Sequence, residues 1–402
     1  MTAPRTEAAR AKTSGPLRIV LLGYIVRGPF GGLVWHHLQY ALCAAALGHD
    51  VYFLEDSGDW PKCCYDPVRG VIDTDPAYGL RFASDAFGGV GLDGRWAYYD
   101  AHTHRWLGPA SERALTICKQ ADLLVNVSGV NPIRPWLEDV PVRALVDTDP
   151  VFTQIRHIRD EAARAQAAQH TSFFTFAENI GAAVSTVPDD GFPWQPTRQP
   201  LALERWRVTP PPKNGRYTTV MQWHSYRLEE HEGRSYGMKS HSFQRYMDLP
   251  RRTGVGLEIA LGGADDVRSL IERHGWILSD PLSVVPDPWS YQRFIEASRA
   301  EFSVAKQAYA VTRSGWFSER SAAYLASGRP VVTQNTGFQD WLPAENGVLA
   351  FDSPAEASAA IDEIEARYDE HCAAAPEIAA EYFDGRRIVA QLIEAACATP
   401  TR

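Results

Sequence analysis

The sequence predicts an α/β protein made of two Rossmann-like, doubly wound domains that face each other across a cleft. Three observations lead to this prediction. Short apolar runs that fit buried strands alternate with helical patterns, the alternation starts again after a proline-rich segment near the middle, and 402 residues are enough for two domains. Strands that alternate with helices pair in parallel, because each helix returns the chain along one face of the sheet.

The first strand, glycine-rich loop and helix set the pattern for the N-terminal half. Residues 17–22 form an apolar run that is typical of a buried parallel strand. A loop rich in glycine follows, and then a helical pattern over residues 33–47 that ends at Gly48. Residues 49–55 predict the second strand, so this segment is a βαβ unit.

The remaining elements continue the alternation. Strand patterns in the N-terminal half lie at residues 121–128, 142–147 and 172–176. Strand patterns in the C-terminal half lie at residues 217–223, 256–261, 301–305 and 331–334. Helical patterns lie at residues 265–274, 290–299, 318–327, 354–368 and 376–398. Residues 58–106 are rich in Gly, Asp and aromatic residues without a clear period, and we expect a long insertion or cap near the cleft there.

The proline-rich segment divides the chain. Three consecutive prolines, Pro210 to Pro212, favour an extended spacer. The resulting prediction assigns each stretch of the chain in order: 1–15 a disordered tail, 16–205 the N-terminal domain, 206–216 the linker, 217–375 the C-terminal domain, and 376–402 a C-terminal helix that packs back on the N-terminal domain.

Composition narrows the class of protein. Apolar residues make up 45% of the chain and charged residues 22%, and the net charge is −9 without any basic run. Nucleic acids and anionic membranes need clustered Lys and Arg, so the sequence predicts no nucleic-acid partner and no stable membrane association. The six cysteines lack zinc-ligand spacing, and no signal-like apolar segment opens the chain. A reduced, cytoplasmic setting fits best, and the sequence leaves a homodimer open.

The segment with the most chemical information runs from residue 309 to residue 332. A loop containing Arg313, Ser314, Gly315 and Trp316 leads into a helix of small residues with Glu319 in its first turn. Free backbone N–H groups and the positive end of the helix dipole make such a place an anion site. A glutamate there can favour the dipole, or it can accept both hydroxyls of a ribose.

This segment resembles the donor-binding region of GT-B glycosyltransferases, in particular the glycogen-synthase-like families. The matching features are Glu319, the run Ala323-Tyr324-Leu325-Ala326-Ser327-Gly328-Arg329-Pro330-Val331-Val332, and the later Thr336-Gly337 turn. The resemblance implies that Glu319 binds the ribose and that the preceding loop holds the diphosphate. It also implies a nucleotide-diphosphate sugar as substrate, with no metal and no other cofactor.

Two lysines and one tryptophan complete the predicted donor site. Lys306 and Lys239 are candidates for the positive charges on the diphosphate, although a surface lysine is the alternative for each. Trp316 lies inside the donor loop and is a candidate for stacking on a base or sugar. Retaining members of the family carry a second glutamate eight positions before the first, and here Val311 stands in that place. The stereochemical outcome therefore does not follow from the resemblance.

In the N-terminal half, Gly31 and Gly32 match the superfamily's glycine loop near the donor phosphates. His36 and His37 follow in the first turn of the helix, where some inverting members place a general base. The alternative is that one histidine packs under the sheet and the other is solvated.

Asp147 and Asp149 follow a strand whose carboxyl end should face the cleft. They are candidates for a catalytic or acceptor-binding role, and a turn or capping role is the alternative. A metal site at these two residues is the least favoured interpretation.

The resulting functional hypothesis is a glycosyltransferase. It moves a sugar from a nucleotide-diphosphate donor, held by the C-terminal domain, to a small-molecule acceptor held by the N-terminal domain. The alternatives are a nucleotide-sugar 2-epimerase, which would need carboxylates from both domains around the sugar, and a non-catalytic sugar-nucleotide binding protein. An NAD-dependent oxidoreductase is disfavoured because no dinucleotide fingerprint occurs.

Overall fold

The computed structural model describes residues 15–225 and 227–398. The strands of the described chain are β1 Arg18–Leu22, β2 Asp50–Asp56, β3 Cys64–Asp66, β4 Val71–Asp73, β5 Trp96–Asp100, β6 Arg105–Leu107, β7 Leu123–Val127, β8 Val142–Asp147, β9 Ser172–Thr175, β10 Trp194–Pro196, β11 Tyr217–Gln222, β12 Glu229–His231, β13 Arg234–Tyr236, β14 Leu257–Gly262, β15 Ile277–Ser279, β16 Ala300–Ser303, β17 Val331–Gln334 and β18 Val348–Phe351.

The α-helices within the same ranges follow the strands in alternation. They are α1 Gly31–Ala46, α2 Ala77–Gly89, α3 Ala114–Lys119, α4 Phe152–Arg159, α5 Glu161–Ala167, α6 Lys239–Phe243, α7 Arg268–Arg273, α8 Pro281–Val284, α9 Pro288–Glu296, α10 Gln307–Val311, α11 Glu319–Ala326, α12 Pro354–Ala366, α13 Tyr368–Phe383 and α14 Gly385–Ala398.

The first sheet has eight strands in the order β10-β9-β8-β7-β1-β2-β5-β6. All its pairs are parallel except β5 with β6, and Val20 of β1 lies between Tyr52 of β2 and Leu124 of β7. The central strands are almost wholly buried because helices cover both faces. The chain leaves β1 in one direction towards β2 and returns to the other side at β7, so the order reverses between β1 and β7.

The second sheet has six parallel strands in the order β15-β14-β11-β16-β17-β18. Its order reverses between β11 and β16, by the same logic as in the first sheet. Two doubly wound sheets confirm the predicted fold class. The strands appear where the apolar runs indicated, within two residues at each end, because buried parallel strands are continuous hydrophobic runs.

The stretch 58–106 differs from the expected irregular insertion. It holds the hairpin β3–β4, helix α2, and strand β5, which extends the first sheet by pairing in parallel with β2. The hydrophobic periodicity of this stretch was not visible in the sequence because aromatic residues occur in both its helix and its strands. They pack against each other: Phe87 of α2 stacks on Trp96 of β5, with ring centroids 5.7 Å apart. This stretch therefore belongs to the core of the N-terminal half.

The C-terminal end of the described chain consists of two helices where one was expected. Pro376 lies inside α13 rather than at its start, and the helix ends at Phe383. Helix α14 packs against α1, and the Gly385 N–H donates to Leu201 O at 2.9 Å. The last helix thus lies against the N-terminal sheet's own helix layer. The predicted domain boundaries themselves stay a prediction.

Helix α11 is fixed to the second sheet by a buried ion pair. Arg320 Nε lies 2.5 Å from Oε1 of Glu301 on β16, and Glu301 is fully buried. The guanidinium also donates to Val220 O at 2.8 Å and to Ser303 Oγ at 2.7 Å. Burial disfavours the charge of Arg320, but Glu301 holds its pKa above the ordinary value. This network sets the position of Glu319, the residue that precedes Arg320.

Within the described ranges, none of the helices combines the length and apolar character needed to cross a bilayer.

The Arg320–Glu301 pair generates a stability prediction. Glu301→Gln should lower the free energy of unfolding by about 3–5 kcal/mol, because it leaves the buried guanidinium without its counter-charge. Glu363→Gln, which affects an exposed pair with Arg367, is the matched control and should cost less than about 1 kcal/mol. Urea unfolding followed by circular dichroism measures both. Equal losses in the two variants would contradict the role assigned to the buried pair.

A candidate substrate site in the interdomain cleft

A cavity of about 580 Å³ lies between the two sheets. Its walls come from the loops that follow β1, β7 and β8 in the first sheet and β11 and β16 in the second. In each sheet, two of these strands flank the point where the strand order reverses. Ligands of doubly wound sheets bind at such points, outside the carboxyl ends of the strands. The topology therefore places one candidate site where the crevices of both sheets open towards each other.

The C-terminal wall of the cavity contains the first turn of α11. Ser318 caps this helix, and its Oγ accepts from Arg320 N at 3.2 Å. Glu319 lines the cavity, and its carboxylate makes no hydrogen bond or ion pair within the described ranges. The structure places Glu319 in the first turn of the helix, as the sequence indicated, and its binding of a ribose stays a prediction.

Lys239 starts the short helix α6 and also lines this wall. Its ammonium group has no ion-pair partner in the parts of the chain that the structure describes. Burial, together with the positive charge of Arg320, lowers the pKa of Lys239 to about 7. Lys239 therefore loses its proton more readily than an ordinary lysine, and an anion in the cavity would favour its charged form.

Lys306 bridges the two domains. Its Nζ lies 2.7 and 2.8 Å from the two carboxylate oxygens of Asp149, and the hydroxyl of Tyr309 donates to the same carboxylate. Asp149 follows β8 of the first sheet, whereas Lys306 and Tyr309 follow β16 of the second. The expected diphosphate lysine and the expected catalytic aspartate are thus paired with each other across the cleft.

Asp147 lies beneath this contact and is fully buried. Its carboxylate accepts from Gln154 Nε2 at 3.1 Å, from Thr175 Oγ1 at 2.8 Å and from Asp149 N at 2.9 Å. Burial raises the pKa of Asp147, against these hydrogen bonds. The geometry favours a turn-forming role for Asp147, because its carboxylate accepts hydrogen bonds that fix the end of β8 and does not line the cavity.

The tip of β8 also stores backbone strain. Val151, which precedes α4, has φ of 74°, a value that β-branched residues rarely adopt. The Val151 N–H is held by Gln154 Oε1 at 2.6 Å. Strained residues that the surrounding structure over-determines often occur at ligand sites, and the neighbouring residues Thr148, Asp149 and Phe152 line the cavity.

The two adjacent histidines of α1 separate into different roles. His36 lines the cavity beside Glu319, while His37 is buried under the first sheet with its Nε2 accepting from Tyr24 N at 3.2 Å. Burial lowers the pKa of His36, with a smaller opposing effect of Glu319, and lowers that of His37 further. Both rings are neutral at pH 7, and the geometry supports an active role for His36 alone.

The loop expected to hold the diphosphate lies elsewhere. Asn179 of the N-terminal half donates through Nδ2 to Arg313 O at 3.1 Å and to Gly337 O at 2.9 Å, and its own N–H donates to Ser314 O at 3.0 Å. Gly315 N donates to Thr336 O at 2.8 Å.

Five of the predicted donor residues therefore lie at or next to this contact between the domains and do not line the cavity: Arg313, Ser314, Gly315, Thr336 and Gly337. Only Trp316 of that loop reaches the cavity, where its ring packs 4.6 Å from that of Tyr309. The sequence pattern located the start of α11 correctly. It could not show that Asn179 of the other domain binds the loop that precedes this helix.

Gly31 and Gly32 also serve packing between the halves. A Cβ on Gly31 would lie 2.4 Å from the carbonyl oxygen of Asp287, and one on Gly32 would lie 3.0 Å from the ring of Tyr291. These glycines let α1 approach α9 closely, and Trp35 Nε1 donates to Pro288 O at 2.8 Å in the same contact. Neither glycine lines the cavity, so their predicted donor contact has no support in the geometry.

Several residues that line the cavity were not among the candidates predicted from the sequence. They are Tyr24 after β1, Ser128 after β7, Arg156 and Arg159 on α4, Gln222 at the end of β11, and Tyr309. Tyr24, Ser128 and Gln222 lie at the carboxyl ends of central strands, and this position was the signal in the sequence that could have identified them. No residue of the stretch 58–106 is among those that line the cavity, although that stretch was expected near the cleft.

Comparison with known proteins supports the architecture. No protein-family model and no curated protein matches the sequence. An α-glucosyltransferase in complex with UDP-glucose and DNA containing an abasic site has a TM-score of 0.59 at 10% identity, over 95% of this chain and 100% of that one.

Two further solved structures share the fold. Sucrose-phosphate synthase from Thermosynechococcus elongatus has a TM-score of 0.51 at 12% identity, over 94% of this chain and 97% of that one. A glycosyltransferase from Rickettsia africae has a TM-score of 0.54 at 8% identity, over 95% and 98% of the two chains.

The comparison corrects one expectation. We predicted no nucleic-acid partner from the acidic net charge, but several structures with this fold are α-glucosyltransferases in complex with DNA. Net charge describes the whole surface and does not exclude a local nucleic-acid contact. The nucleic-acid exclusion is therefore wrong as an inference, whereas the architecture is confirmed. The chain has the GT-B fold of glycosyltransferases.

Proposed function

We propose that this protein is a glycosyltransferase that transfers a sugar from a nucleotide-diphosphate donor to an acceptor in the interdomain cavity. The observation that carries the proposal is the free carboxylate of Glu319 at the capped start of α11, facing a cavity that both domains line. A ribose with two adjacent hydroxyls offers the pair of donors that one carboxylate can accept.

The leaving group of such a reaction is a nucleoside diphosphate, whose negative charge must be stabilised as the sugar departs. Lys239 supplies a cation without a counter-ion on the same wall as Glu319. The pKa of Lys239 is about 7, so an arriving diphosphate favours its protonated form. Lys306 can add a second cation only if the diphosphate shares it with Asp149.

The acceptor hydroxyl needs a proton acceptor. His36 lines the N-terminal wall and is neutral at pH 7 because burial lowers its pKa. Asp149 is already engaged by Lys306 and Tyr309. His36 is therefore the group best suited to act as general base. Asp149 is better suited to orient Lys306.

The acceptor part of the proposal is a small molecule, or a small reacting portion of a larger one. A volume of about 580 Å³ lies in the range of small-ligand sites, roughly 300–1,000 Å³. An acceptor screen should include sugars, aglycones and oligonucleotides. A 2-epimerase is the competing activity, and product analysis separates the two, because an epimerase converts the nucleotide sugar without releasing a nucleoside diphosphate.

The first prediction concerns the donor. One of UDP, GDP, ADP, CDP and dTDP should raise the melting temperature of the wild type, since ligand at 100 times its Kd adds about 2.7 kcal/mol. Glu319→Ala should weaken that binding roughly 10- to 100-fold through loss of charged hydrogen bonds. The control is Glu345→Ala, an exposed residue outside the cavity. Absence of any nucleotide effect on the wild type would remove the main support for a glycosyltransferase.

The second prediction concerns pH and Lys239. Free Lys239 loses its proton above pH 7, whereas the diphosphate complex keeps it, so the Kd for the nucleoside diphosphate should rise by up to about tenfold per pH unit above 7. Lys239→Arg should abolish this slope, because a guanidinium stays charged. Isothermal titration calorimetry from pH 6 to 9 measures the pH dependence of the Kd, with Lys119→Arg as the control variant. A slope that survives in Lys239→Arg would assign the titration to another group.

The third prediction concerns His36. His36→Gln should lower kcat by roughly 10²- to 10⁴-fold and leave the Kd for the nucleoside diphosphate unchanged. In the wild type, kcat should fall as the pH drops through the lowered pKa of His36, below 6.5, where the ring becomes protonated. The exposed His104 provides the control variant His104→Asn. Wild-type kcat in His36→Gln would exclude the histidine as base.

A further inference from the structure

Tyr24 is the cavity residue whose chemistry the proposed function has not used. It follows β1, lines the cavity and is half-buried, and its hydroxyl makes no hydrogen bond within the described ranges. Burial raises the pKa of Tyr24 to about 12, so the hydroxyl keeps its proton at neutral pH. Tyr24 therefore presents a hydrogen-bond donor to whatever occupies the cavity, and it is not suited to act as a base.

The loop that carries Tyr24 is held by a single buried carboxylate. Glu55, at the end of β2, is 1% exposed and accepts three consecutive backbone N–H groups, from Ile25 at 2.7 Å, Val26 at 2.8 Å and Arg27 at 2.8 Å. The side chain of Arg27 adds a contact from Nε at 3.2 Å. Three backbone donors on one carboxylate fix the loop far more tightly than a surface turn would be fixed.

Two further contacts hold the same loop from its other side. Asn131 Nδ2 donates to Gly23 O at 2.8 Å, and the Tyr24 N–H donates to His37 Nε2 at 3.2 Å. The Tyr24 ring packs edge-on against His37, with centroids 5.1 Å apart. Both the backbone and the ring of Tyr24 are thereby fixed before any ligand binds, which lowers the entropic cost of a hydrogen bond to that ligand.

The position of Tyr24 indicates which part of a ligand it meets. The nucleotide-binding groups of the proposed donor site, Glu319 and Lys239, lie on the C-terminal wall, whereas Tyr24 lies on the N-terminal wall, which also contains His36. A transferred sugar has to lie between the diphosphate and the acceptor, and so between these two walls. Its hydroxyl oxygens are the acceptors that the Tyr24 hydroxyl can reach there.

We infer that Tyr24 donates a hydrogen bond to a hydroxyl of the transferred sugar, and that Glu55 is the positioning residue that holds Tyr24 in place for this contact. The inference rests on the proposed glycosyltransferase function and deepens it. It distinguishes the sugar-recognition group on the N-terminal wall from the nucleotide-recognition groups on the C-terminal wall.

Tyr24→Phe tests the contact, because it removes only the hydroxyl and keeps the packing of the ring. The probes are the nucleoside diphosphate that stabilises the wild type and its glucose conjugate, or the hexose conjugate that binds most tightly. Calorimetry should show that Tyr24→Phe lowers the affinity for the nucleotide sugar roughly 3- to 10-fold and leaves the affinity for the nucleoside diphosphate unchanged. The matched control is Tyr78→Phe, on α2 outside the cavity, which should change neither.

A double-mutant cycle tests Glu55. Glu55→Gln replaces one accepting oxygen by an NH₂ group that faces backbone donors, so the loop should shift and the nucleotide sugar should bind more weakly. The double variant Glu55→Gln, Tyr24→Phe should lose no more than Glu55→Gln alone, since the hydroxyl is already misplaced. Additive losses would show that Glu55 acts on stability without acting through Tyr24. If Glu55→Gln does not fold, Glu55→Asp serves in the same cycle.

The outcomes separate this inference from the proposed function. Wild-type affinity of Tyr24→Phe for the nucleotide sugar overturns the inference while the donor site at Glu319 stands. A loss of affinity for the nucleoside diphosphate itself, equal to the loss for the nucleotide sugar, also overturns it, since Tyr24 would then contact the nucleotide. Failure of every nucleoside diphosphate and nucleotide sugar to bind the wild type overturns both proposals.

Discussion

The buried ion pair between Arg320 and Glu301 is the interaction on which the candidate site depends. It attaches the first turn of α11 to β16, and through Val220 O also to β11, the two strands between which the order of the second sheet reverses. Glu319 precedes Arg320, so its carboxylate is aimed into the cavity by a neighbour that cannot move without exposing an uncompensated charge. Glu319, which lines the cavity, is thus held in place by Arg320, which does not line it.

The two halves of the chain are joined around the cavity by polar contacts of different kinds. At the cavity, Asp149 binds Lys306 and Tyr309. The positive charge of Lys306, which could otherwise bind a diphosphate, is thereby paired with a carboxylate. Elsewhere, Asn179 binds the carbonyl groups of Arg313 and Gly337. Under the proposed function, an anionic ligand would compete for the first contact, which is charged, but not for the second, which is neutral. A ligand-dependent rearrangement would therefore act first on the Asp149–Lys306 pair.

Burial controls the charge of the cavity more than composition does. His36 is neutral, Lys239 titrates near pH 7 and Tyr24 keeps its proton, because each is removed from water in the absence of a ligand. Glu319 is the carboxylate on the C-terminal wall that stays without a partner in the described structure. An incoming ligand with hydroxyl groups and negative charge would supply partners to Glu319, Lys239 and Tyr24 at once.

The sequence by itself determined the two doubly wound sheets and the start of α11. Buried parallel strands are continuous apolar runs, and a serine before a glutamate and a run of small residues marks a helix N-terminus, so both features are local. The sequence also placed His36, Asp149, Lys239, Lys306, Trp316 and Glu319 among the candidates that the cavity brings together.

Only the tertiary structure decided which candidates face the cavity and which are buried or hydrogen-bonded to other parts of the protein. His37 and His36 are adjacent in the chain but lie on different sides of a helix, and Asp147 is satisfied by Gln154 and Thr175 from neighbouring elements. The loop at Arg313 is covered by Asn179, more than a hundred residues earlier. Such assignments depend on contacts between distant segments, and no local pattern of residues carries that information.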